Sequence, residues 1–303
     1  MKKYAIAAIG ELLWDVLPTA EVLGGAPVNF AYHVTALGGE GIPISTVGDD
    51  LRGARALGEL RRRGVETAGI SVAEGRSTGY VDISLDTLGV ATYSFPAEVA
   101  WDHLEVNEFA RDLKDRLDAV CFGTLAQRSA DSRRAIRDFL DGLRPGTVRI
   151  CDLNLRQNFY SREMVESSLN RADILKLNNE ELPVLAKLLG LGGEKKRLWL
   201  KLLLERFGLS MAILTRGRGG SLLLTPAGSS DHPGIATPIT DTADTIGAGD
   251  AFTAAVTIGY LEKMNLGRIN GLANKLAAYV CTQQGAMPDI PETLKITSGC
   301  IGG

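Results

Sequence analysis

The chain has 303 residues, 45% of them hydrophobic and 23% charged, with a formal net charge of -3. That balance excludes a disordered chain and supplies enough apolar surface for a large core. Basic residues are spread along the sequence apart from Arg61-Arg62-Arg63, which excludes a nucleic-acid-binding stripe, and no apolar run reaches membrane-spanning length.

No Pro-rich or Gly/Ser-rich linker divides the sequence, so a single domain over residues 1–303 is expected. The first ten residues begin with charge, and Glu11 and Asp15 interrupt the apolar stretch too early for a signal segment. Cys121, Cys151, Cys281 and Cys300 are widely spaced without a C-x-x-C pair, and thiols in a reducing cytoplasm are the expected reading.

In chain order, short apolar runs predict strands at residues 4–10, 42–48, 119–125, 148–153, 174–177 and 211–215. Between them, apolar residues at three- and four-residue spacing predict helices at 50–63, 129–143, 180–189 and 195–207. This alternation predicts an α/β fold with a doubly wound, mainly parallel sheet flanked by helices. One stretch breaks the rhythm. Residues 77–95 hold two β-rich runs around Asp86-Thr87-Leu88-Gly89, the pattern of an antiparallel hairpin that projects from the main sheet as a small β lid or forms a plain edge hairpin.

In open parallel sheets ligands bind outside the carboxyl ends of the strands, which selects residues 11–15, 152–156, 178–181 and 215–220. The strongest motif lies further on, in Thr245-Ile246-Gly247-Ala248-Gly249-Asp250-Ala251-Phe252, with a helical run predicted over 253–264. Glycines at a helix start leave N–H groups free to cradle an anion, and the helix dipole adds to the attraction. Asp250 at that position is either a helix cap or a general base taking a proton from a hydroxyl. A second motif, Gly24-Gly25-Ala26-Pro27-Val28-Asn29-Phe30-Ala31, combines close backbone approach with an amide able to donate to and accept from a hydroxyl-rich ligand. Asp15 precedes it with a carboxylate suited to vicinal hydroxyls.

Competing signatures are missing from the sequence. There is no G-x-x-x-x-G-K-[ST], no H-R-D or D-F-G element, and no complete G-x-G-x-x-G. His33, His103 and His232 lack metal-ligand spacing.

The two glycine-rich regions, residues 24–39 and 244–250, resemble the diagnostic regions of the ribokinase-like (PfkB) carbohydrate kinases. The likeness continues through residues 47–53, 152–156, 178–181 and 215–217. Within that family the segments 10–18 and 23–33 look most like the bacterial fructokinases. The resemblance implies an ATP- and Mg2+-dependent kinase acting on the primary hydroxyl of a sugar, with fructose foremost. Ribose, 2-keto-3-deoxygluconate and nucleosides remain alternative substrates, and a sugar-binding regulator without catalysis is the alternative outside enzymes. By the same resemblance Asp250 is the base, Gly247, Ala248 and Gly249 form the anion hole, and Arg156 lies near the transferred group. Asp15, Gly25, Asn29 and Phe95 would hold the sugar. Asn178, Thr215, Gly217, Gly220 and Asn274 would bind the nucleotide, and Glu181 would organise Mg2+ through water. The resemblance further implies a lid from about residues 77–100 that also builds a homodimer, and K+ held by backbone carbonyls around Asp244 and Gly285.

Overall fold

The computed structural model describes residues 3–17, 20–85, 91–237 and 245–295. The expected turn at Asp86 to Gly89, Asp244 and Cys300 lie outside these residues. In chain order the elements are β1 (Ala5–Ile9), β2 (Leu13–Leu17), β3 (Ala20–Gly24), α1 (Ala26–Ala36), β4 (Glu40–Gly48), α2 (Leu51–Arg62), β5 (Ile70–Ala73), β6 (Gly79–Leu85), β7 (Ala91–Ser94), α3 (Glu108–Asp112), β8 (Ala119–Phe122) and α4 (Ala130–Asp141). They continue with β9 (Val148–Asp152), α5 (Arg162–Leu169), β10 (Ile174–Asn178), α6 (Glu181–Leu189), α7 (Lys196–Arg206), β11 (Met211–Thr215), β12 (Ser221–Thr225), β13 (Gly228–His232), α8 (Ala248–Leu261) and α9 (Leu266–Val280).

Nine strands form the main sheet in the order β13-β12-β11-β10-β9-β8-β1-β4-β5. The seven from β11 to β5 run parallel, and β12 and β13 are added antiparallel. Strand β1 shows why the sequence folds this way: its five residues are all buried, as a strand covered on both faces requires. Ala7 and Ile9 join the core beneath the helices α3 to α7, while Ile6 and Ala8 join the core shared with α1, α2, α8 and α9. Helices α2, α3, α4, α5 and α9 begin on side-chain caps. Asp50 accepts from Gly53 N at 2.8 Å at the start of α2, which then buries Gly53, Ala56 and Leu60 on one face.

The helical run expected over 253–264 begins earlier, at Ala248, because Gly247 takes a left-handed φ of 76° and turns the chain into the helix. A second departure concerns the hairpin. Strands β6 and β7 do pair antiparallel, but β2 and β3 join them in a four-stranded outer sheet ordered β3-β2-β6-β7. Its Trp14 and Tyr80 lie side by side and face α2, where Arg55 and Arg52 stack over their rings at 4.5 and 4.4 Å. Asp15, one residue along β2, therefore points to the opposite face. No helix among the described residues is long and apolar enough to cross a membrane.

Candidate functional site

The chain leaves β1 for β4 on one side of the sheet and later returns to place β8 on the other side of β1. This reversal opens a crevice at the carboxyl ends of β1 and β8, the position where doubly wound sheets bind ligands. Its floor is a cavity of about 10 Å³ lined by residues that include Glu11, Phe30, Cys121, Asp152, Asn154 and Asp250.

Two helix starts converge there. At the start of α1, Gly25 has φ 109°, and a Cβ on it would come within 2.5 Å of Glu11 O, so only glycine lets the helix begin this close to the end of β1. One turn on, Asn29 is buried and donates from Nδ2 to Asp250 Oδ2 at 2.8 Å, while its Oδ1 has no protein partner. At the start of α8, a Cβ on Gly247 would lie 2.5 Å from Ala286 O, and one on Gly249 would lie 3.1 Å from Lys176 Nζ. Ala248 N makes a long 3.4 Å bond to Thr245 O. Asp250 therefore lies in the first turn of α8, above a ring of polar groups.

The electrostatics follow from burial. Burial, with Asp152 as the next contributor, pushes the Asp250 carboxyl up to about 7, against the opposing pull of Lys176, the Asn29 hydrogen bond and Arg156. Burial likewise raises Asp15 to about 6 and Glu11 to about 7, with Arg156 drawing both down. Arg156 itself is exposed, and its Nη1 donates to Leu155 O at 3.1 Å. Gly24 leaves room for Asp15: a Cβ there would meet Asp15 Oδ2 at 2.8 Å.

Beneath Asp250 lies a buried cluster of which the strand-end pattern selected only Asp152, leaving out Lys176 and Thr253. Asp152 Oδ1 accepts from Lys176 Nζ at 2.9 Å, and its Oδ2 accepts from Thr253 Oγ1 at 2.9 Å. A lysine inside the apolar run of β10 was the available signal, since a charge in a strand covered on both faces requires a partner.

On the other side of this cluster, Glu181 Oε2 accepts from Asn178 N at 2.8 Å and Oε1 from Leu155 N at 2.9 Å. Asn178 Oδ1 caps the start of α6 by accepting from the N–H groups of Glu180 and Glu181. The loop after β9, which carries Arg156, is thus tied to the end of β10. Thr215 ends β11, and Gly217 and Gly220 bound the following turn with φ of 56° and 77°. Asn274 lies next to that turn, with Nδ2 donating to Ser221 Oγ at 2.7 Å and Asn270 O at 2.8 Å. Phe95 follows β7 and packs edge-on against Phe159 at 5.8 Å between ring centroids, a contact with the core and not with the Asp250 cavity.

His33 is fully buried and neutral near pH 7, because burial lowers it to about 4 despite its bond to Ala286 O. Its role is to hold the 286 segment against α1. Cys121 and Cys151 are buried thiols, each pushed up by burial.

The family model described as pfkB family carbohydrate kinase matches residues 10–293. An uncharacterized sugar kinase of Pyrococcus horikoshii is 30% identical over 301 residues, covering 93% of this chain and 91% of the relative. Its crystal structure in complex with ATP superposes with a TM-score of 0.76 at 27% identity, over 93% of this chain and 94% of that one. A fructokinase of Klebsiella pneumoniae is 28% identical over 304 residues, covering 94% of this chain and 96% of that protein.

Proposed function

The chain belongs to the pfkB family of carbohydrate kinases, and on that premise we propose that it transfers the γ-phosphate of ATP to the primary hydroxyl of a sugar, with fructose as the first substrate. The carrying observation is Asp250, held by Asn29 in the first turn of a helix that opens with Gly247, at the crevice beyond the carboxyl ends of β1 and β8. A carboxyl raised to about 7 is matched to taking a hydroxyl proton near neutral pH. The helix N-terminus offers dipole and N–H groups to charge that develops on the transferred phosphoryl group. The ATP-bound relative and the fructokinases among the similar proteins support the choice of both substrates.

Asp15, Gly25 and Asn29 hold the sugar in this reading, with the unpartnered Asn29 Oδ1 ready to accept from a hydroxyl. Arg156 meets the transferred group, and the turn from Thr215 to Gly220 with Asn178 and Asn274 borders the nucleotide. The outer sheet acts as the lid that limits water at the reacting atoms.

Among the described residues no group of three or more His, Cys, Asp or Glu is arranged to cage a metal. Glu181 already accepts two backbone N–H groups, so a Mg2+ brought in with the nucleotide would be held by Glu181 and Asn178 through water. When bound, Mg2+ would neutralise charge on the β- and γ-phosphates.

The test is ADP release from a panel of fructose, ribose, 2-keto-3-deoxygluconate and nucleosides, with and without Mg2+, for the wild type and Asp250→Asn. Fructose should be the best acceptor, and the variant should lose roughly a hundredfold or more in kcat. A different clear winner overturns the substrate, and a variant of near wild-type rate overturns the base.

A further inference from the structure

We propose that Asp152 and Lys176 are positioning residues for Asp250: a buried charge pair wedged under the first turn of α8 that sets how firmly Asp250 holds the proton it takes from the sugar. The inference rests on the reading of Asp250 as the base and adds two residues that act through it.

The geometry carries it. Both side chains of the pair are 5% exposed, and their 2.9 Å contact joins the end of β9 to the middle of β10. Lys176 Nζ stands directly under Gly249, the residue before Asp250, so closely that a Cβ there would lie 3.1 Å away. Asp152 uses its other oxygen on Thr253, in the same helix one turn further on. Asp152 and Asp250 also line one cavity, of about the size of a single water. The pair therefore grips the turn that carries Asp250 from below, with charges of opposite sign in a site screened from solvent.

Charges in such a place have opposite effects on a neighbouring carboxyl. Asp152 disfavours the ionised form of Asp250 and Lys176 favours it, which agrees with the signs of their effects on its proton affinity. The other groups facing Asp250 are Asn29 from α1, Cys121 from β8 and Arg156 from the loop after β9, with Glu11 on the shared cavity. None of these changes in the variants below. A plain internal ion pair would affect stability alone and leave the pH profile in place.

The experiment is the pH dependence of kcat/KM with ATP, Mg2+ and the best sugar for the wild type, D152N, K176M and the double variant D152N/K176M. The wild type should lose activity as pH falls through about 7. D152N should move that acid limb down by roughly one pH unit, K176M should move it up, and the double variant should return toward the wild type. The same ATP titrates in every case, so a displacement between variants belongs to the protein. D152N preserves the hydrogen bonds: its amide oxygen still accepts from Lys176, and its nitrogen donates to Thr253 Oγ1, whose own proton turns to Gly249 O at 2.9 Å. It therefore decides the matter even where K176M does not fold. A D152N limb at the wild-type position overturns the proposal. If Asp250→Asn is inactive while that limb stays fixed, this inference alone fails. If Asp250→Asn is active, the proposed base fails as well.

Discussion

Glu11 places a carboxyl in the wall of the crevice at the end of β1, and burial raises it to about 7 although the backbone N–H groups of Glu11, Ala26 and Ala126 all favour its ionised form. Because the folded value lies above the ordinary 4.5, the folded state binds this proton more tightly than the unfolded chain does. Its contribution to stability is full below about 4.5 and is lost as pH rises through about 7, on the order of 3 kcal/mol in all. Glu11→Gln removes the titration and one accepted N–H bond, a loss of about 1 kcal/mol. The variant should be the less stable protein at pH 4 and the more stable at pH 8, read from urea midpoints. A difference between the two proteins that is the same at both pH values would reject the buried, titrating carboxyl. In the sequence Glu11 is legible only as a polar residue after a strand; in the structure it is buried and shares its cavity with Ala26, Pro27 and Phe30 of α1.

The outer sheet meets α2 through Trp14, Glu21 and Tyr80, and the segment beyond β7 is held by a buried ion pair. Arg128 donates to both oxygens of Asp102 at 2.7 Å and to Pro96 O, two residues beyond β7, and it stacks over Trp101 at 4.0 Å. Both side chains are under 10% exposed. Arg128→Met should leave Asp102 buried without its partner and cost about 3–5 kcal/mol in urea unfolding, whereas D102N/R128M should recover part of that loss. A single variant with wild-type stability would show that the pair does not hold β7. The hairpin of β6 and β7 was legible from β-rich runs on either side of a glycine-containing turn, and helices α2 and α6 from their apolar spacing. Strands β2 and β3 were not. Five residues with a mixed pattern resemble a loop until β6 comes alongside β2, and β6 lies more than sixty residues further along the chain.

For the whole molecule, the outer sheet leaves an edge at β7, where Tyr93 is half exposed. We propose, in line with the resemblance read from the sequence, that a second copy covers this sheet and forms a homodimer. Sedimentation equilibrium should then give twice the 32.4 kDa chain mass, and Tyr93→Glu should return it to a monomer. A wild-type protein that sediments as a monomer would refute this. By itself the sequence determined the fold class, the alternation of strands and helices, and the two glycine-rich motifs. These are local properties: apolar period and glycine at helix starts act between neighbours in the chain. Only the tertiary structure brought Asn29 onto Asp250 and put the Asp152–Lys176 pair under it. Those contacts join residues 221 and 24 positions apart, and what decides them is the strand order, which sets which carboxyl ends meet in one crevice. Asp250 could be read in the sequence as a carboxylate at a helix start. Its raised proton affinity depends on burial and on charges from other strands, which no local pattern records.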